Sequence, residues 1–419
     1  MARVVASTIA GAGALALCVA GTGSGAGAVT TAGLSRPILD HPQYPVWPED
    51  APDPDVVEFG STYYAYTTGT SWGNHIGVLE SKSPLSGWHT AVSGPFGSSA
   101  LPTGPSYLYP NTLTSPTVAE IDGRYVMFFD GRLRSDSSLY CMAVAVATSP
   151  LGPFVDNAKS AFGPCSTKFD GSVDPDLVEG ADGHYWLLWK ENDSGPYTSA
   201  QIWSQELSTS GTTFVGHSHV LLTQKSATFH WETTTENPAL TYAGGIWWLL
   251  FSSGDWENSS YSEAFVKCEG PDGPCGGDPT QILQSYDRVH GPGGATTFEN
   301  RLGVWYLAFA AWTTPCTGEG GNCGRELYIT PIEFRTLAVA TTSLPEAKVG
   351  RAYEAFVRAD GGLTARRWTS SRLPAGLHLV SSTGEVDGKP SAAGSKRIVF
   401  SVSAGSSTRR RTIRITVAS

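Results

Sequence analysis

The chain contains no long stretch in which apolar residues recur at helical spacing, which disfavours a predominantly helical fold. Its cysteines show no C-x-x-C spacing and no grouped histidines accompany them, which disfavours a zinc site. The apolar N-terminal stretch is short and broken by glycine, so it does not predict a membrane-spanning helix. With a formal net charge of −10 as well, we expect no nucleic-acid partner and no membrane partner.

The residues that are abundant favour β structure. Among 419 residues there are 48 glycines and 27 prolines, and aromatic residues make up 11%. This composition is typical of a turn-rich all-β protein. A hydrophobic content of 40% is sufficient for a sizeable core, and a chain of this length predicts more than one domain.

Residues 1–28 are predicted to be a secretory signal peptide. Arg3 supplies the positive charge, residues 4–20 are apolar and small, and residues 26–28 form an A-x-A cleavage signal. We therefore expect a secreted, extracellular protein whose mature chain begins near residue 29.

Six cysteines follow the predicted signal peptide, and an even number in an exported chain suggests disulfide bonds. The count alone leaves the connectivity open. Proximity along the chain favours three loops, closed by Cys141–Cys165, Cys268–Cys275 and Cys316–Cys323.

A unit of about 60 residues recurs along most of the chain. Each copy has a short polar lead, a turn and an aromatic-rich strand. The lead positions are separated by 62, 59 and 62 residues, and they are Asp53, Ser115, Asp174 and Glu236. The aromatic strands begin at Tyr63, Tyr125, Tyr185, Trp247 and Trp305.

Repeats of this length suit the blades of a β-propeller, each blade being a four-stranded antiparallel sheet. Five copies predict a five-bladed β-propeller in residues 29–336. Residues 29–49 are proline-rich and aperiodic, and we interpret them as a lead-in to the first blade.

Residues 337–419 have a different character and predict a small immunoglobulin-like β-sandwich. Residues 412–417 alternate as a half-buried strand does. This part contains thirteen Lys and Arg against five Asp and Glu, which leaves 15 against 33 for the rest of the chain. A contact of this basic module with cell wall or polysaccharide is one interpretation, and a solvated surface is the other. We expect the protein to be a monomer.

The lead positions carry the candidate chemistry, because a propeller brings equivalent residues of successive blades together at its axis. Three of them are carboxylates: Asp53, Asp174 and Glu236. Asp-Pro alone is a common turn opener, but three acids in phase with a repeat are more specific. Carboxylates in one cavity perturb each other's pKa, which is what hydrolysis of a glycosidic bond requires.

The acidic motifs resemble those of glycoside hydrolase family 43. The motifs are Asp53-Pro54-Asp55, Ser172-Val173-Asp174-Pro175 before Asp182-Gly183, and Glu236-x-Pro238. The likeness covers the whole predicted propeller. The tail, with Pro374-x-Gly376-Leu377, resembles an immunoglobulin-like module of exported bacterial proteins.

The resemblance implies an inverting glycosidase with a role for each acid. Asp53 would be the general base that deprotonates water, Glu236 the general acid, and Asp174 the residue that raises the pKa of Glu236 and holds it in place. In an inverting enzyme the base and the acid lie about 6.5–9.5 Å apart.

Two positions depart from the family pattern. Asn237 replaces the glycine that usually follows the acid, and Gly294 replaces a histidine that helps to hold an axial ion or water cluster. His290 is nearby but out of register. We therefore expect that no cofactor is required, and a structural calcium ion at the propeller axis stays an open alternative that these two departures disfavour.

Candidate sugar-binding residues are those with flat aromatic faces or hydrogen-bonding groups near the predicted cavity. They are Trp72, His75, Ser115 and Trp256, and Arg132 and Arg325 could complement its negative charge.

The sequence thus predicts a secreted hydrolase of arabinofuranosyl or xylosyl bonds in plant-type polysaccharide or oligosaccharide. Two alternatives stay open, an exo-galactan-type glycosidase and a non-catalytic carbohydrate-binding propeller, the latter because of Asn237 and Gly294. A retaining propeller that cleaves fructan or sucrose is disfavoured, because the chain lacks the Trp-Met-Asn-Asp-Pro-Asn-Gly and Arg-Asp-Pro motifs.

Overall fold

A computed structural model describes residues 33–419 apart from 71, 73–74, 92–96, 166–170, 181, 192–198, 319–322, 336, 361–365 and 405–406. The predicted signal peptide therefore lies outside the described residues. Within the described part of the chain, no helix is long and apolar enough to cross a membrane.

Five antiparallel sheets follow one another along the chain and form the predicted five-bladed propeller. Blade 1 contains β3 (Asp55–Phe59), β4 (Thr62–Thr68), β5 (Ile76–Ser81) and β6 (His89–Thr90). Blade 2 contains β7 (Thr114–Ile121), β8 (Arg124–Arg132) and β9 (Tyr140–Ala147), with a 3-10 turn at Pro110–Thr112 before it.

The next two blades have four strands each. Blade 3 contains β10 (Ser172–Glu179), β11 (Tyr185–Glu191), β12 (Gln201–Glu206) and β13 (His219–Thr223). Blade 4 contains β14 (Glu236–Ala243), β15 (Ile246–Ser253), β16 (Ser262–Cys268) and β17 (Cys275–Leu283).

Blade 5 combines both ends of the propeller sequence. Its later strands are β18 (Val289–Glu299), β19 (Trp305–Thr313) and β20 (Glu326–Arg335), and two N-terminal strands pair with β20, namely β1 (Gly33–Leu39) and β2 (Trp47–Asp50). The interpretation of residues 29–49 as a lead-in was therefore wrong. Aperiodic sequence can add an edge strand because backbone groups of β20 supply the hydrogen bonds.

The aromatic-rich strand is the second strand of each blade, and it is buried on both faces. Trp248 and Phe251 of β15 and Phe309 of β19 are all 0% exposed. Both faces are covered because each sheet packs against the blade before it and the blade after it. This explains runs of consecutive apolar residues where a one-sided sheet would alternate.

Adjacent blades are also joined by polar side chains of the innermost strands. Oδ2 of Asp55 accepts a hydrogen bond from the backbone N–H of Val118 at 2.7 Å, and Oδ2 of Asp176 accepts one from Leu240 at 3.0 Å. Each bond runs from one blade to the next, so the second acid of the Asp-Pro-Asp motifs connects blades.

The C-terminal region is the predicted immunoglobulin-like sandwich. Its strands are β21 (Ala338–Val339), β22 (Ala347–Lys348), β23 (Tyr353–Phe356), β24 (Ala359–Asp360), β25 (Arg367–Ser370), β26 (Leu377–Leu379), β27 (Glu385–Gly388), β28 (Gly394–Ala404) and β29 (Ser407–Ala418). One sheet has the order β22-β29-β28-β25, the other β23-β27-β26, and β21 pairs with β24. Trp368, Phe400 and Ile413 lie in its core.

All three predicted disulfide pairings are confirmed: Cys141–Cys165, Cys268–Cys275 and Cys316–Cys323. Cys268 and Cys275 pair directly across β16 and β17, so this bond closes a hairpin. The Cys316–Cys323 loop matters for the site, since Cys323 lines the cavity described next.

Candidate active site

In each blade, one residue within the innermost strand, or two residues before it in blade 1, lies in the left-handed region near the propeller axis. The φ angles are 50° at Asp53, 49° at Ser115, 55° at Asp174, 46° at Asn237 and 61° at Gly294. The first four each precede a proline, which locally interrupts regular pairing. The pairing of β7, β10, β14 and β18 is irregular at these positions.

This register corrects the predicted equivalence of the lead positions. Asn237, and not Glu236, is in phase with Asp53, Ser115 and Asp174. Glu236 is one residue earlier and is the first residue of β14, paired with Ser252 of β15. A one-residue shift in a strand changes the direction of the side chain.

The three predicted acids line one cavity of about 500 Å³, together with the predicted sugar-binding residues Ser115 and Trp256. Its wall also contains Asp130, Tyr140, Lys190, Tyr261, Trp312 and Arg325. Sequence reasoning named Arg325 for its charge but missed Lys190, Asp130 and Tyr261, which lie outside the lead motifs.

Asp53 is held by a hydroxyl group and a cation. The Thr68 hydroxyl donates to its Oδ2 at 2.7 Å, and Nη2 of Arg325 lies 3.2 Å from its Oδ1. The side chains of Asp53 and Arg325 are only 12% and 9% exposed. Arg325 also lies over the ring of Trp256 at 5.3 Å, which connects the acid to the exposed aromatic rim.

Asp174 connects the neighbouring blades. Its Oδ1 accepts from the Ser115 hydroxyl at 2.9 Å and its Oδ2 from the backbone N–H of Asn237 at 3.1 Å, while its own N–H donates to Oδ2 of Asp130 at 3.0 Å. Burial, followed by the nearby charge of Glu236, raises the pKa of Asp174 to about 6. Burial also raises the pKa of Asp130 well above its ordinary value.

Glu236 has a partner on each carboxylate oxygen. Nζ of Lys190 lies 2.7 Å from Oε2, and the Tyr261 hydroxyl donates to Oε1 at 2.7 Å. Burial opposes ionisation of Glu236, but Lys190, Tyr261 and Arg325 together lower its pKa below the ordinary value. The three acids therefore have different environments in one cavity.

The departure at Asn237 is accommodated by the fold. Asparagine tolerates the left-handed region better than most residues, so it can replace glycine here. Its Nδ2 also donates to the Tyr261 hydroxyl at 3.0 Å, which adds a contact to the group that holds Glu236.

The glycine at 294 has little room for a side chain. A Cβ at Gly294 would lie 3.0 Å from Oδ1 of Asp53, and Nε2 of His290 contacts the Thr314 hydroxyl at 2.9 Å instead of the axis. Among the described residues, no group of three or more His, Cys, Asp or Glu is arranged to hold a metal ion. These residues do not fit an ion anchored by a histidine.

The structure does not bring Trp72 or His75 to this cavity. Nε1 of Trp72 donates to the Asp50 carbonyl at 2.6 Å and its ring packs with the core of blades 1 and 5. Nδ1 of His75 lies 3.0 Å from the Leu101 carbonyl oxygen. Both residues follow β4 in sequence, but their position in the sequence does not determine whether their side chains face the cavity. Arg132 lies over the Tyr140 ring at 5.1 Å, beside the cavity wall.

Comparison with curated proteins finds distant relatives. The chain is 23% identical over 253 residues to a beta-D-galactofuranosidase of Aspergillus niger, which covers 58% of this chain and 68% of the relative. It is 25% identical over 275 residues to an arabinan endo-1,5-alpha-L-arabinosidase A of the same fungus, covering 59% of this chain and 78% of the relative.

Solved structures share the fold. A thermostable family-43 glycoside hydrolase superposes with a TM-score of 0.57 at 21% identity, covering 67% of this chain and 89% of that chain. An exo-1,5-alpha-L-arabinanase from a bovine ruminal metagenomic library superposes with a TM-score of 0.53 at 17% identity, covering 70% of this chain and 96% of that chain.

Two family models match the chain, one for each domain. The one described as "Putative Ig domain" matches residues 335–418. The one described as "Glycosyl hydrolases family 43" matches residues 42–336, which contain all three acids and more than half of the chain. The protein is therefore a glycosidase that belongs to glycosyl hydrolase family 43.

Proposed function

We propose that the protein is an inverting glycosidase that hydrolyses arabinofuranosyl or xylosyl linkages of plant-type polysaccharide. The observation that carries the proposal is the separate support of two acids in one cavity. Asp53 is paired with Arg325 and Glu236 with Lys190, while Asp174 accepts hydrogen bonds from Ser115 and Asn237. Glycosidases need two carboxyl groups whose environments differ.

In this proposal Asp53 is the general base. A water molecule gives a proton to Asp53 while the oxygen of that water attacks the anomeric carbon. The bond to the leaving oxygen breaks on the opposite face of the sugar. The ion pair with Arg325 and the hydrogen bond from Thr68 suit a base, because both stabilise its negative charge and fix its direction.

Glu236 is the general acid that protonates the leaving oxygen. In the free protein Lys190 favours its ionised form, whereas the raised pKa of Asp174 favours a proton on Asp174. Glu236 can therefore act as an acid only when substrate in the cavity weakens its contact with Lys190. Below about pH 6 the neighbouring Asp174 is mostly protonated, so its charge no longer repels that of Glu236.

Two unpartnered donors belong to residues that line the cavity. Nη1 of Arg325 and Nε1 of Trp312 are buried and have no hydrogen-bond partner among the described residues, so a sugar hydroxyl group would reach them only after these side chains shift. Buried donors of this kind lose free energy unless a ligand or water accepts from them. Trp256, 41% exposed, offers an aromatic face at the rim.

Arabinofuranosyl linkages are the first choice within this class. Both curated relatives are named for furanoside substrates, a galactofuranoside and an arabinan. We also propose that residues 1–28 direct export, a view that three disulfide bonds support because such bonds persist in oxidising compartments.

A substrate panel tests the proposal. Aryl α-L-arabinofuranoside, β-D-xyloside and β-D-galactoside, together with linear arabinan, would be incubated with the enzyme, and proton NMR would identify the first anomer released. We expect release from the arabinofuranoside or xyloside with inversion. A retained first anomer would refute inversion, cleavage of the galactoside alone would favour the galactan alternative, and polysaccharide binding without release would favour a carbohydrate-binding propeller.

A further inference from the structure

The two sheets of the immunoglobulin-like domain carry opposite charge. The sheet β22-β29-β28-β25, here called the basic sheet, contains no aspartate or glutamate in its strands. Its eight cations are Lys348, Arg367, Lys396, Arg397, Arg409, Arg410, Arg411 and Arg414. The opposite sheet contains no lysine or arginine and carries three carboxylates, Glu354, Glu385 and Asp387.

Four arginines are concentrated on the outer face of the basic sheet. Ile398, Phe400, Ile413 and Trp368 are buried in the sandwich core, so alternation directs their strand neighbours outward. The outward arginines are Arg367, Arg397, Arg410 and Arg414, and all four are exposed. This face is therefore a defined array and not a scattered set of surface charges.

The array carries a cost that the fold does not require. Arg397 and Arg414 are direct partners across β28 and β29, and like charges in such a pair destabilise a sheet. Among the described residues, none of the eight cations forms an ion pair with a carboxylate. An external anion would relieve this repulsion.

The chemistry of the face indicates what kind of anion fits. Its remaining outward residues on β28 and β29 are hydroxyl-bearing, apart from Val399 and Ala418, and the aromatic residues Trp368 and Phe400 point into the core. A surface that binds neutral sugars would offer aromatic faces outward. The planar guanidinium group instead matches carboxylate oxygens, with two parallel hydrogen bonds.

The spacing favours a polymer over a small anion. Arg410 and Arg414 are separated by four residues of one strand, or about 13 Å, and the neighbouring strand is about 4.8 Å away. A single carboxylate cannot reach all of these side chains, whereas a chain with repeated carboxylates can engage them together. The rest of the protein, with 15 basic against 33 acidic residues, repels such a polymer.

We propose that the basic sheet binds carboxylate-bearing polysaccharide and so holds the glycosidase on an acidic glycan matrix. The binding site is separate from the catalytic cavity, so the tether does not depend on which bond the propeller cleaves. Attachment to a glycosidase makes an acidic polysaccharide a more fitting partner than a phosphate polymer.

Affinity electrophoresis of the full chain in gels that contain polygalacturonate tests the proposal. We expect retardation that weakens as NaCl rises and that disappears with the fully methyl-esterified polymer, which has the same sugars without the charge. The variant Arg397→Ser/Arg410→Ser/Arg414→Ser should bind roughly tenfold more weakly or worse.

The matched control is Arg351→Ser/Arg358→Ser/Arg372→Ser, which removes the same charge from exposed positions of the same domain outside the basic sheet. It should bind within about twofold of the parent. Both variants should retain thermal stability and hydrolysis of a soluble aryl glycoside. The proposal would be overturned by an equal loss of binding in the two variants or by unchanged retardation of the Arg397/Arg410/Arg414 variant. It would also be overturned if the esterified polymer bound equally well, or if the protein bound only a phosphate polymer.

Discussion

The Lys190 ammonium group lies 2.7 Å from Oε2 of Glu236, and both side chains are almost fully buried. This pair joins β11 of blade 3 to β14 of blade 4, so it belongs to the fold and to the site together. Its presence means that the predicted acid is ionised in the free protein.

Replacing Lys190 with Met should move the pH dependence of activity. Because Lys190 lowers the pKa of Glu236, its loss raises that pKa and keeps the acid protonated at higher pH. The alkaline limb of the kcat/KM profile should therefore move to higher pH. A profile that does not move, or that moves to lower pH, would contradict the assignment. Lys267→Met, at an exposed lysine of β16 that lies over the Trp248 ring, is the control.

The same variant should lose stability in a pH-dependent way. Breaking a buried ion pair typically costs about 3–5 kcal/mol of unfolding free energy. The lowered pKa of Glu236 means that its stabilisation is present above the unfolded value and disappears as pH falls. The deficit of Lys190→Met in urea unfolding should therefore be larger at pH 8 than at pH 4. An equal deficit at both values would place the cost in packing alone.

Asp53→Asn and Glu236→Gln should each lower kcat by roughly 10²–10⁴-fold, but with different substrate dependence. A good aryl leaving group needs little protonation, so Glu236→Gln should lose much less activity on such a substrate than on arabinan. Asp53→Asn should lose similar activity on both. Asp182→Asn, in an exposed turn, is the control. The reverse substrate dependence would exchange the proposed roles.

Substitutions at Asn237 should separate its backbone role from its side-chain role. Both Gly and Ala lose the hydrogen bond to Tyr261, but only Ala is strained at a φ of 46°. We expect Asn237→Ala to be less stable than Asn237→Gly by about 1–2 kcal/mol in urea unfolding. Equal stabilities would mean that the backbone at 237 can relax.

Gly294→Ala should reduce activity through Asp53. The added Cβ would lie 3.0 Å from Oδ1 of Asp53 and would displace the proposed base. Gly60→Ala is the matched control, since Gly60 has a similar φ of 63° with nothing within 4 Å of the added atom. Both should lose about 1–2 kcal/mol of stability, but only Gly294→Ala should lose kcat. Equal activity in the two variants would argue against the base assignment.

Asp55→Asn should flatten the pH dependence of stability. Burial raises the pKa of Asp55 to about 8, so the folded protein keeps a proton that the unfolded chain has released above about pH 4. Wild-type stability should fall as pH rises through this window, by up to about 1.4 kcal/mol per pH unit. Asparagine retains an acceptor for the Val118 N–H and does not titrate. Asp122→Asn, in an exposed turn, is the control and should leave the slope of stability against pH unchanged. An unchanged slope in Asp55→Asn as well would mean that the carboxylate of Asp55 is solvated in the folded protein.

Local sequence carries much of this architecture. The repeat of aromatic strands at nearly constant spacing predicts five blades, because the second strand of each blade is buried on both faces and must be apolar throughout. The acid-proline motifs predict three carboxylates at the axis because equivalent positions of a propeller converge. The disulfide pairing was predictable because each cysteine pairs with one that is close to it along the chain.

Other features depend on contacts between residues far apart in sequence, and only the tertiary structure decided them. The closure of blade 5 by β1 uses backbone hydrogen bonds, which leave no side-chain pattern. Lys190 and Tyr261 reach Glu236 from other strands, so no local motif identifies them. Trp72 and His75 follow β4 just as a binding loop would, but the fold directs them away from the cavity described here. The types of the site residues came from sequence, whereas the register of Glu236 and the partner of each charge came from the backbone geometry and the packing of the blades.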